Sequence, residues 1–116
     1  MKMLYVLTFL FTLSAAFGTW VLTYYFRKKK TNKKVVFIHG LFGGAGIMAF
    51  IVYISLRSSD PSSITPLFIF LIAAFLGAVI FCYDIMHKHV PKYLWILHPI
   101  IALIGLGFMY YIIFGK

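Results

Sequence analysis

Four apolar stretches account for most of this 116-residue chain, and its only carboxylates are Asp60 and Asp84. The stretches run over about 3–26, 35–56, 65–86 and 93–114, each close to the ~20 residues that cross a ~30 Å hydrocarbon core as a helix. Lipid offers no partner to backbone N–H and C=O groups, so a spanning segment must satisfy them internally. A soluble domain carries about a quarter of its residues as charges; here the share is 11%, beside 63% hydrophobic residues. The expected fold is an all-α membrane protein, a single domain of four transmembrane helices in an up-down bundle.

The net charge of +9 is concentrated at one side. Arg27, Lys28, Lys29, Lys30, Lys33 and Lys34 fill the first loop, and Lys88 and Lys92 the third. The second, RSSDPSS, holds only Arg57. Cytoplasmic loops carry such an excess of basic residues, which places loops one and three inside and both termini outside. The lysines would also attract anionic lipid head groups. No loop is large enough to form a groove for nucleic acid, so the bilayer is the expected partner.

The opening MKMLYVLTFLFTLSAAFG imitates a signal peptide, with Ser14 and Ala16 spaced as at a cleavage site. Its apolar run continues through WVLTYYF until RKKK stops it, so an uncleaved first span is expected. With no organelle-targeting segment, the expected location is a bacterial inner membrane. The single Cys82 has no partner for an internal disulfide and reads as a small buried hydrophobe.

An ungapped match relates the two halves, 59 residues apart, the separation of His39 and His98. Phe9 falls on Phe68, Phe11 on Phe70, Ala15 on Ala74, Gly18 on Gly77 and Tyr24 on Tyr83. Further on, Lys29 falls on Lys88, Lys33 on Lys92, Gly46 on Gly105 and Ile54 on Ile113. Each unit holds two spans, so the copies enter the membrane in the same sense, related by an axis along its normal. With short loops, sequence neighbours touch, and helices two and four face each other across the diagonal. His39 and His98 then lie at equal depth, toward the cytoplasmic side.

The spacing is His39-x3-Gly43-x2-Gly46 in helix two and His98-x3-Ala102-x2-Gly105 in helix four. Positions i, i+4 and i+7 share a helix face. Each imidazole is thus followed by small residues, and two such faces would leave a slot for a planar macrocycle clamped from both sides. Haem iron takes histidine as an axial ligand. Two ligands are few for zinc, copper or nickel. Propionates on such a haem could reach Arg27, Lys30, Lys33, Lys34 and Lys92 through charge-assisted bonds.

The stretches FIHGLFGGAG and ILHPIIALIG, on alternate helices of a four-helix unit covering nearly the whole chain, resemble the cytochrome b561 type of membrane haem protein and related quinol-linked bacterial b cytochromes. The resemblance implies a b-type cytochrome exchanging electrons with a quinol or a partner protein, a membrane haem oxidoreductase component. That family typically ligates two haems, one near each face. Here no histidine lies near the external side, so one haem b is expected, held by His39 and His98 beside Gly43, Gly46, Ala102 and Gly105.

Other readings compete with this one. The histidines could bind a bare metal ion or relay protons in a non-haem carrier. Gly40-x3-Gly44 is a small-x3-small face of the kind that packs helices in membranes, suited to an assembly subunit or a homo-oligomer. HKHVPK sets His87 and His89 beside Asp84, and two histidines with a carboxylate can make a metal triad. An Asp84 paired with a lysine or arginine is the preferred alternative, and a hydrogen bond from a ligating histidine to Asp84 is another. Pro99 suggests a kink or a late start in helix four, and Thr65-Pro66 a capped start in helix three. There is no phosphate-cradling loop, no paired carboxylates and no buried glutamate in the first helix, which argues against a hydrolase or a carboxylate-driven exporter.

Overall fold

The computed structural model describes residues 2–27, 29, 32–56 and 64–114. They form four helices, α1 (Lys2–Phe26), α2 (Lys33–Leu56), α3 (Ile64–Ile85) and α4 (Lys92–Phe114). All four are long and apolar enough to cross a membrane, and they build the bundle of an integral membrane protein. Its extents of 44 × 23 × 22 Å suit a single spanning unit. Helices α1 and α2 pack closely, as do α3 and α4, and the two hairpins join through α1–α4 and α2–α3 contacts. That leaves α2 and α4 on one diagonal and α1 and α3 on the other, as the repeat requires.

The ends of the helices explain themselves locally. Asn32 caps α2, its Oδ1 accepting from the Lys34 N–H at 2.9 Å. At the end of α3 the Lys88 N–H bonds Tyr83 C=O at 3.0 Å and the His87 N–H bonds Asp84 C=O at 3.2 Å. His87 takes φ 57° between them. This is a Schellman turn, usually completed by glycine. The first hairpin repeats its long-range bond, Lys29 N–H to Tyr24 C=O at 3.0 Å, on the residues that match Lys88 and Tyr83. Helix α3 already begins at Ile64, so Thr65 lies inside it and is not its cap. Helix α4 runs from Lys92 through Pro99 without a break, which excludes a late start at the proline. Lys28, Lys30 and the second loop, residues 57–63, lie outside the described residues.

Buried side chains fall into two clusters. Leu4, Leu7, Phe11, Phe50, Tyr53, Phe70, Met109 and Ile112 fill the half of the bundle far from the basic loops. Ile80, Val90 and Leu94 form a smaller cluster near those loops. Between the repeats, Lys33 on α2 forms an ion pair with Asp84 on α3. Cys82, expected to be buried, is exposed, because it sits on the outward face of α3, where lipid and not protein surrounds it.

The glycines divide by face. A Cβ on Gly46 would meet Phe11 Cε1 at 2.9 Å, and one on Gly105 would meet Phe70 Cε1 at 3.0 Å. These residues let the hairpin helices approach closely. Gly40 and Gly44 have nothing within 4 Å of a Cβ, so the Gly40-x3-Gly44 face takes no part in packing this bundle.

Candidate functional site: a histidine pair across the bundle diagonal

His39 and His98 meet across the α2–α4 diagonal, between the two apolar clusters. Their ring centroids are 6.1 Å apart and the planes stand at 80°. Each lies six residues into its helix, about 9 Å from the basic end at 1.5 Å per residue. Equal depth on the same diagonal is what the 59-residue repeat demands.

Each ring is anchored by the preceding helix of its own hairpin. His39 Nδ1 lies 2.7 Å from Ser14 C=O, and His98 Nδ1 lies 2.8 Å from Ala73 C=O. A carbonyl can only accept, so both Nδ1 atoms carry the proton and donate it. In the neutral imidazole each Nε2 then holds the lone pair, and neither makes a hydrogen bond among the described residues. Among the described residues no buried side-chain nitrogen or oxygen lacks a partner, so each free Nε2 borders accessible space. An Nδ1–H bonded to a backbone carbonyl is the support that metal-ligating histidines ordinarily have.

Glycines complete the seats. A Cβ at Gly18 would come 2.8 Å from His39 Cε1, and one at Gly77 would come 3.0 Å from His98 Cε1. Each imidazole lies against a stretch of helix with no side chain, which is why both repeats keep glycine there. Ser14, Gly18, Ala73 and Gly77 are site residues that motif reading overlooked. The signal was present for the glycines, since Gly18 and Gly77 already match in the repeat.

The small residues expected to wall a slot are placed otherwise. Gly46 and Gly105 receive Phe11 and Phe70, and Gly43 receives the Ser14 hydroxyl, whose Oγ would lie 3.0 Å from a Cβ there. Ala102 is half-buried on the same register of α4. The three glycines face the partner helix of their own hairpin. The side-chain-free surface at the level of the imidazoles belongs to α1 and α3.

A centroid separation of 6.1 Å at 80° is that of an edge-to-face ring contact, and it is also close to the roughly 6 Å that a metal between two imidazole nitrogens would set. Among the described residues no group of three His, Cys, Asp or Glu side chains could hold an ion. A donor set of two imidazoles and no third group fits the two axial positions of a haem iron. It does not fit a four-coordinate ion supplied by the protein alone.

The other candidates do not assemble. Asp84 pairs with Lys33, in line with the ion-pair reading, and makes no hydrogen bond to His39 or His98 among the described residues. His87 and His89 are exposed beside it, so the alternative His87–His89–Asp84 metal triad is not formed. Of the cations expected near propionates, Lys33 is engaged by Asp84, and Arg27 stacks over the Tyr24 ring at 5.4 Å. Lys34 and Lys92 are exposed. No protein-family model matches the chain, and no curated protein or solved structure matches it either.

Proposed function

We propose that this protein is a membrane b-type cytochrome that holds one haem b between α2 and α4 through His39 and His98 and exchanges electrons with a quinol or a partner protein. The observation that carries the reading is the matched anchoring of the two imidazoles. Each Nδ1–H is committed to a backbone carbonyl, and the rings stand 6.1 Å apart with both Nε2 atoms free. Fixing the tautomer in this way presents two neutral nitrogen donors without further rearrangement of protons. The haem would supply one-electron chemistry, and the chain its ligands, its orientation and an apolar surround that tunes the potential. Gly18 and Gly77 seat the two imidazoles, and Lys34 and Lys92 offer cations at the near membrane face. A bacterial inner membrane is the proposed location.

Expression with ample haem, purification in detergent and an absorption spectrum test the proposal. A Soret band and a sharp low-spin band on reduction are expected, both lost in His39→Ala and in His98→Ala. A colourless protein, or a His39→Ala variant with an unchanged Soret band, would sink it. The filling of Gly43, Gly46 and Gly105 by neighbouring side chains favours a second reading, in which the pair binds a small ion or passes protons with no macrocycle. Metal analysis of the same preparation separates the two.

A further inference from the structure

The two histidines are repeat mates, yet only His39 has a side-chain hydroxyl beside its ring nitrogen. Ser14 stands where the second repeat has Ala73, and Gly43 where it has Ala102. The His39 Nδ1–H donates to Ser14 C=O at 2.7 Å. The Ser14 hydroxyl lies 3.2 Å from the same nitrogen and donates to His39 C=O at 3.0 Å. His98 has the single bond to Ala73 C=O, at 2.8 Å, and alanine brings no hydroxyl.

The exchange is balanced across the helix pair. The hydroxyl fits because residue 43 has no side chain, a Cβ there coming 3.0 Å from Ser14 Oγ. One hairpin therefore carries Cβ and Oγ on one helix and nothing on the other, whereas its mate carries one Cβ on each. The heavy-atom count is conserved and the polarity is not.

We propose that Ser14 and Gly43 form a positioning pair that holds His39 fixed and leaves His98 the freer of the two imidazoles. Residues 14 and 39 are bonded in both directions, ring to backbone and hydroxyl to backbone, in a part-buried setting where a bond is stronger than in water. Sharing the Nδ1 proton with a second oxygen polarises the ring and strengthens Nε2 as a donor. His98, held by one bond, turns or lets go more readily. With a metal bound, His39 is the retained ligand and His98 the exchangeable one; that consequence rests on the haem reading, whereas the positioning does not.

The test uses cofactor-free, nitrogen-15-labelled protein in detergent micelles and follows exchange of the two Nδ1 protons with heavy water. The His39 proton is expected to exchange about tenfold more slowly, the effect of roughly one further hydrogen bond. The Ser14→Ala:Gly43→Ala variant, which copies the packing of the second repeat, should bring it to within about twofold of His98. The reciprocal Ala73→Ser:Ala102→Gly variant should slow the His98 proton, and it carries the test if the first variant does not fold. Equal rates in the unaltered chain, or a difference that survives Ser14→Ala:Gly43→Ala, would overturn the proposal. A colourless haem-supplemented preparation would end the cytochrome reading and leave this measurement untouched.

Discussion

Phe11 and Phe70 stack face to face across the α1–α3 diagonal, with ring centroids 3.9 Å apart and planes within 10°. They are repeat mates, and each also fills the glycine notch of the helix beside it, at Gly46 and Gly105. Along α2, Gly46 is seven residues beyond His39, so this layer lies about 10 Å from the imidazoles. The bundle thus closes one diagonal with two phenylalanines and the other with two histidines.

Truncating either ring empties the same place. Phe11→Ala and Phe70→Ala should each destabilise the bundle by about 3–5 kcal/mol. The double variant should depart from the sum by about 0.5–1.5 kcal/mol, the coupling expected of an aromatic pair. Unfolding by graded denaturing detergent, followed by Trp20 and Trp95 fluorescence, measures all three. A near-neutral Phe70→Ala would contradict the paired core.

Gly18→Ala should displace the His39 ring, because the new Cβ would come 2.8 Å from Cε1, and Gly77→Ala should do the same to His98 at 3.0 Å. Each change should cost about 1–3 kcal/mol. Imidazole nitrogen chemical shifts provide the local readout: Gly18→Ala is expected to move the His39 signals first, and Gly77→Ala those of His98. A shift in the opposite ring alone would show that the seats have been assigned to the wrong helices.

At His87 the backbone is left-handed, with φ 57°, a conformation that costs a non-glycine residue about 1–2 kcal/mol. His87→Gly should therefore stabilise the α3 terminus by roughly 0.5–1 kcal/mol after glycine's larger unfolded-state entropy is subtracted. If the protein binds haem or a metal, this variant should bind as much of it. Loss of bound metal in this variant would revive the loop histidines as ligands.

Gly40→Ala and Gly46→Ala separate the two kinds of helix face. The first meets nothing within 4 Å and should leave stability unchanged or raise it by up to about 1 kcal/mol. The second must push Phe11 aside and should cost about 1–3 kcal/mol. If Gly40→Leu abolishes co-purification of another membrane protein while leaving the monomer folded, the outward face serves assembly and the protein is an assembly subunit.

Asp84→Asn removes the ion pair that ties α2 to α3. The Lys33 side chain is 60% exposed and that of Asp84 33%, so the loss should amount to about 0–1 kcal/mol and shrink further in high salt. A larger loss, insensitive to salt, would mean that Asp84 supports something beyond Lys33.

The architecture was legible because it depends on long-range averages. Twenty apolar residues in a row leave a helix no alternative in lipid, and the spacing of His39 and His98 sets their depth once both hairpins are aligned. The faces of the glycines were not legible. A helical wheel says that Gly43 and Gly46 share a side with His39, but it does not say which neighbour that side meets. Phe11 and Ser14 decided it, by filling those positions from α1. The seat at Gly18 depends on the register between two helices, which no periodicity within either one contains. The left-handed His87 escaped for a related reason, since glycine is the residue that ordinarily signals such a turn.

The pairing of Phe11 with Phe70 has a consequence for how such a chain can change. In a symmetric dimer of hairpins, a residue on the dyad meets its own copy, and every substitution there is made twice. Joining the hairpins in one polypeptide frees each copy to vary alone. The axis still holds matched partners, Phe with Phe and His with His, while one step off it Ser14 has parted from Ala73 and Gly40 from Pro99. Inequality between halves is what a linked chain can acquire and a homodimer cannot.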